Sequence, residues 1–194
     1  MRYSAEHKKQ TQARILQEAA ASLRMRGPDG VVVADIMASA GLTHGGFYVH
    51  FKSKDELIVG AIEESFADQA ARVDAMVGGR GPASALMAYV DAYLSQQHRD
   101  QRDRSCPIAA LAGDGPRLKE PAREAFEQGC AGVTRRIADW LEAMGRPDAG
   151  ALAGSVVAEL VGALVMARAV ADPQLSRKIL RDSRMALRQR LGVD

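Results

Sequence analysis

The sequence predicts an all-α protein of about nine helices, with a small three-helix unit at the N-terminus and a larger helical domain after it. Three observations predict it. Apolar residues recur at three- and four-residue spacing through every long segment. Breakers containing Gly or Pro separate those segments at 27–30, 78–82, 113–116 and 145–147. No stretch alternates apolar and polar residues as a half-buried strand does, and no internal repeat or low-complexity tract interrupts the pattern.

The first helix spans about residues 5–26, with Ile15, Ala19, Ser22 and Leu23 on its buried face and Lys8, Lys9 and Arg14 near the outer side. Residues 32–57 read VVADIMASAGLTHGGFYVHFKSKDEL. Within them Val33, Ile36, Met37 and Ala40 make one short amphipathic helix. Gly41 stands where a helix end wants a left-handed residue, and Leu42 returns the chain to the core. Thr43 is placed to cap a second short helix, His44 to about Val49, with its hydroxyl. Phe47 and Phe51, four apart, face inward, while Tyr48 and His50 lie off that line. Ser53 and Glu56 form a capping box that opens the next helix. Two helices joined by a Gly-containing turn are a helix-turn-helix, whose second helix enters a DNA major groove.

Residues 41–57, GLTHGGFYVHFKSKDEL, resemble the DNA-binding signature of the TetR family of bacterial transcriptional regulators; Gly41, Thr43, Gly45, Phe47, Tyr48, His50, Phe51, Ser53, Lys54 and Leu57 match. The resemblance covers about fifty N-terminal residues. It implies that Thr43 meets a phosphate at the recognition-helix N-terminus, that Tyr48, His50 and Lys54 are phosphate contacts, and that His44 reads a base edge. His50 is equally compatible with bracing the helix pair, and His44 with simple exposure. Gly45 and Gly46 weaken the short helix by roughly 1 kcal/mol each relative to Ala, in exchange for close backbone approach to DNA. The chain departs from the family at Val32, which cannot cap as the usual Thr or Ser does, and at Gly46, where a small side chain is usual.

Downstream, a helix from Lys54 to about Val77 connects an N-terminal domain, residues 1–54, to a C-terminal domain, residues 55–194. Further helices are expected at about 82–100, after Pro107, and at about 121–144, 148–171 and 173–191. By resemblance this region receives a small-molecule inducer and forms a homodimer that reads palindromic double-stranded operator DNA. Met87, Tyr89, Tyr93, Phe126, Val133, Trp140 and Met166 are the candidate pocket residues. The small and apolar face of the 148–171 helix, with Val156, Leu160, Leu164 and Ala167, is the expected dimer interface, joined by Ile179 and Leu187 from the last helix. The same periodicity fits an internal core helix.

Cys106 supports an alternative, a repressor that senses oxidants or electrophiles through a thiol. It precedes Pro107 at a helix start with Arg102 and Arg104 nearby, surroundings that favour thiolate, and SCPIAAL resembles a segment of thiol-sensing relatives. Cys130 falls on an apolar helix face.

Composition narrows the rest. Over 194 residues, 26 Lys and Arg stand against 24 Asp and Glu, so the chain is no polybasic nucleic-acid coat and any basic footprint is local. Two cysteines give no disulfide framework. The polar start lacks a secretory h-region, and Glu159 and Arg168 interrupt the apolar stretch 149–171, so a cytoplasmic protein with no membrane span is expected. An enzyme is disfavoured: the C-terminal domain holds one histidine, His98, with no metal-ligand spacing, phosphate loop or nucleophile motif. No metal or cofactor is expected. A helical interaction protein without DNA binding is the remaining alternative.

Overall fold

The computed structural model describes residues 2–193, and among them every regular element is helical. The α-helices are α1 (Arg2–Arg26), α2 (Val33–Ser39), α3 (Lys54–Val77), α4 (Pro82–Tyr93), α5 (Gln96–Asp100), α6 (Pro107–Leu111), α7 (Glu120–Ala143), α8 (Ala149–Ala169) and α9 (Pro173–Leu191). The recognition helix, His44–Val49, is a 3-10 helix, and two shorter 3-10 turns flank α6.

Local chemistry accounts for most boundaries. α2 ends as expected at Gly41, whose φ of 69° no side chain opposes. Gly41 N–H donates to Ala38 O at 2.9 Å and Leu42 N–H to Met37 O at 2.8 Å, the paired bonds of a Schellman turn. α3 opens on Ser53, whose hydroxyl accepts from Glu56 N–H at 3.1 Å, while the Glu56 carboxylate reaches back to Lys52 N–H. The helix expected over 82–100 is broken in two. Ser95 takes an extended conformation, accepts from His98 N–H at 3.0 Å and donates to Ala92 O at 2.8 Å, so one hydroxyl ends α4 and caps α5.

Two cores result. The N-terminal core packs Ile15, Leu23, Ile36, Met37, Phe47, Phe51, Leu57 and Ile62. It also takes in Leu111, Leu118, Ala122 and Ala125 from α6, the following turn and α7, so apolar packing runs across residue 54. The C-terminal core centres on Leu86, Val90, Ile137, Leu141 and the inner face of α8. Val156, Leu160, Leu164 and Ala167 of α8 and Leu187 of α9 belong to it and are at most 2% exposed. Within one chain, these residues of the expected dimer interface are core. Helical spacing defined an apolar face, and α7 and α9 of the same chain cover it. Ile179 packs half-buried against the same core. α8 is long and apolar enough by composition to cross a membrane, yet this stripe is committed to internal packing.

Phe66 on α3 touches both cores, with its ring centroid 6.0 Å from that of Phe126 on α7. Gly129 makes room for it: a Cβ there would stand 2.2 Å from the Phe66 ring. Replacing Gly129 by Ala gains about 1 kcal/mol of helix propensity but forces a ring held between two packed helices to move, typically a 1–3 kcal/mol penalty. The penalty dominates, so G129A is expected to lower the urea midpoint. An unchanged or higher midpoint would show that Phe66 turns aside freely.

Candidate nucleic-acid interface

The recognition helix is presented by packing beneath it. Phe47 and Phe51, 2% and 4% exposed, stack with ring centroids 5.6 Å apart and anchor its inner face. Tyr48 leans edge-on against Phe47 and remains 72% exposed, and Val49 is exposed beside it. Thr43, His44, Gly45 and Lys54 are exposed as well.

Thr43 does not cap this helix with its side chain, contrary to the expectation from sequence. The 3-10 geometry explains why. Gly46 N–H, the group a Thr43 hydroxyl would receive, already bonds the Thr43 carbonyl at 3.0 Å. The hydroxyl therefore stays free and exposed. Val32 occupies the N-cap of α2 without a side-chain bond, as its chemistry requires.

Neither glycine is demanded by internal packing. A Cβ on Gly45 would meet nothing within 4 Å, and one on Gly46 would make ordinary contacts with Met37 and Thr43. His50 is half-buried, with Nδ1 buried and unpartnered. Burial lowers its pKa from the usual value, and the nearby Lys8 ammonium acts in the same direction. Lys8, on α1, thus joins the surface; its placement depends on the fold of α1 over the motif, which no local pattern reveals.

Sequence families carry the same division. Residues 15–61 match the model described as "Bacterial regulatory proteins, tetR family", and residues 82–180 match "Transcriptional regulator LmrA/YxaF-like, C-terminal domain". The chain belongs to the TetR family. That family consists of DNA-binding transcriptional regulators rather than enzymes. Among curated relatives, the chain is 26% identical over 103 residues to the uncharacterized HTH-type transcriptional regulator YfiR of Bacillus subtilis, covering 53% of this chain and 50% of that one. It is 26% identical over 119 residues to the HTH-type transcriptional repressor NemR of Escherichia coli, covering 60% of each. The matched region thus spans about half to three-fifths of these relatives. Whole-chain likeness in fold is broader. A TetR regulator from Chloroflexus aurantiacus superposes with a TM-score of 0.81 at 23% identity over 96% of both chains. The reduced form of E. coli NemR gives 0.78 at 21% identity over 93% of this chain and 97% of that one.

In this TetR chain the C-terminal aromatic residues separate into several places. Tyr89 and Tyr93, 5.7 Å apart between ring centroids, line a cavity of about 400 Å³ with residues of α3, α5 and the segment before α6. Val133 lies on a second cavity of about 210 Å³ between α3 and α7, which Tyr89 also reaches. Trp140 packs on Tyr89 at 5.8 Å, Phe126 packs on Phe66, and Met87 borders a surface crevice beside Arg188. Met166, also expected at a pocket, is 58% exposed on the outer face of α8 and lines neither of these cavities. Sequence reading missed Gln69, Arg72, His98 and Arg104 as cavity-lining residues, because polar groups on partly buried faces leave no periodic signal.

Cys106 is buried and also lines the larger cavity. Arg104 shares that cavity, whereas Arg102 is not among its walls. Burial pushes the Cys130 thiol up to about 11, as befits an unreactive core group. Cys106 N–H donates to His98 Nε2 at 3.1 Å, so Nδ1 carries the proton toward the Tyr93 carbonyl, 2.8 Å away. This neutral ring is favoured foremost by burial and then by the Arg168 and Arg72 charges, and its pKa is lowered despite the Tyr93 carbonyl. A depressed histidine pKa means that the unfolded chain binds more protons between the two values. Stability is therefore full above about pH 6.5 and is lost as pH falls toward the folded value. The urea midpoint should drop between about pH 7 and pH 5, and H98Q should flatten part of that drop, leaving the share due to His50. An identical slope in the variant would remove His98 from the account.

Proposed function

We propose that the protein is a homodimeric, cytoplasmic transcriptional repressor that binds a palindromic operator and leaves it when a small molecule occupies the C-terminal domain. The observation that carries the DNA reading is a row of exposed polar groups without internal work. Thr43 has a free hydroxyl, Tyr48 projects into solvent, and Gly45 is small where packing would tolerate a side chain. Backbone N–H groups at the start of the recognition helix, with Thr43, suit one phosphate; Tyr48, His50 and Lys54 suit others; His44 is the base reader.

A six-residue recognition helix reads few base pairs, so two copies on a two-fold site supply specificity. With the inner face of α8 committed to the core, its outer face is the proposed contact: Gly154, Ala158, Gly162 and Met166 follow one four-residue row with Val165 beside it, and all five are exposed or half-exposed. Cys106 supports a second reading, thiol-triggered release, since its thiol lines the larger cavity. N-ethylmaleimide should then release the wild type and spare C106S; equal release would discard that reading.

Titrating a palindromic fragment from the protein's own upstream region across a salt series tests the main reading. The wild type should show a steep loss of affinity with salt. K54A should bind roughly tenfold more weakly with a slope smaller by about 1. M166R should sediment as a monomer and lose the operator. A wild-type slope near zero, or a monomeric M166R that retains full affinity, would overturn the reading.

A further inference from the structure

The cavity of about 400 Å³ beside Tyr89 and Tyr93 has an uneven chemistry. Arg72 and Arg104 line it, and no Asp or Glu does. Arg72 pairs with Asp68, which also faces the buried Arg24 at 3.8 Å, so one carboxylate serves two guanidinium groups. Among the described residues Arg104 has no acidic partner. Two residues of its walls, 8% and 4% exposed, carry buried polar atoms without a hydrogen-bond partner: the Gln69 carbonyl oxygen and the Tyr93 hydroxyl. Unpaired polar atoms in a buried wall are costly unless a ligand or water satisfies them. Tyr89, Val73, Met76 and Ala92 supply apolar surface, beside neutral polar groups that include Gln97 and Gln101.

We propose that this cavity takes a small organic monocarboxylate with a single-ring apolar body and a hydroxyl group. This deepens the reading of the C-terminal domain as the ligand-receiving part and rests on it. The carboxylate meets Arg104 and the rim of Arg72, a planar match that guanidinium groups make well. The ring lies along Tyr89, Val73 and Met76, and the hydroxyl donates to the Gln69 oxygen or pairs with the Tyr93 phenol. One uncompensated guanidinium suits a monoanion better than a phosphate dianion. The volume suits one substituted ring.

The same wall is tied to the DNA-binding part. Arg72 donates to the Arg104 carbonyl at 3.2 Å, and Arg24, on α1, donates through Nε to the neighbouring Asp103 carbonyl at 2.5 Å. A carboxylate drawing Arg72 and Arg104 inward therefore pulls on the segment that α1 holds.

The probes are para-hydroxybenzoate, para-hydroxyphenylacetate and para-hydroxyphenylpropanoate, each beside its carboxamide. Binding is read on DNA-free protein by thermal shift and by the fluorescence of the single tryptophan, Trp140, which packs on Tyr89. At least one acid should bind roughly tenfold or more tightly than its amide. R104Q should abolish that preference, Y93F should weaken acid and amide alike, and R102Q, outside the cavity, should keep the preference. Equal binding of acid and amide, no binding of any probe at millimolar concentration, or an unchanged preference in R104Q would each overturn the proposal. DNA is absent from these measurements, so failure of operator binding is a separate result.

Discussion

The DNA-binding half of this chain does not close its own core. Leu111, fully buried, and Leu118, Ala122 and Ala125, each at most 8% exposed, come from α6, the turn after it and α7, and pack among Ile15, Phe47 and Leu57. Without them the inner faces of α1 and α3 would meet water, at roughly 25 cal/mol for each Å² of apolar surface. α3 continues the constraint as a single helix with Leu57 and Ile62 in one core and Val73 in the other. The recognition helix therefore takes its orientation from packing that spans both halves.

Arg24 adds a polar tie at the same junction. Its guanidinium is buried, its Nε is spent on the Asp103 carbonyl, and burial lowers its pKa even with Asp68 and Asp103 nearby. A charge so desolvated is expensive to leave unpaired. The exposed 3-10 turn Arg102–Arg104 is accordingly held to α1. A wall of the larger cavity and the rear of the DNA-binding domain share one short segment.

Legibility in the sequence followed the range of each interaction. α3 was readable at both ends, since Ser53, Glu56 and Gly78 act within one turn. Gly41 and the Phe47–Phe51 anchor were readable for the same reason. Thr43 was misjudged because a side-chain cap and a 3-10 carbonyl compete for the same N–H, and their balance depends on how Phe47 seats in the core. The partner of the apolar face of α8 is not legible for a different reason. Periodicity reveals that Val156, Leu160 and Leu164 share a face, and only tertiary packing decides whether that face meets α7 and α9 or a second copy. The bond from Arg72 to the Arg104 carbonyl joins residues 32 positions apart, beyond any local pattern.

If the N-terminal core is completed by α6 and α7, the two halves unfold as one unit. The direct measurement is equilibrium urea unfolding followed at two places: the fluorescence of Trp140 in α7, and hydrogen exchange at the amides of Ile15, Ala19 and Leu23 in α1. Coincident midpoints are expected at both reporters. Loss of protection in α1 at a clearly lower urea concentration, with Trp140 still native, would contradict it.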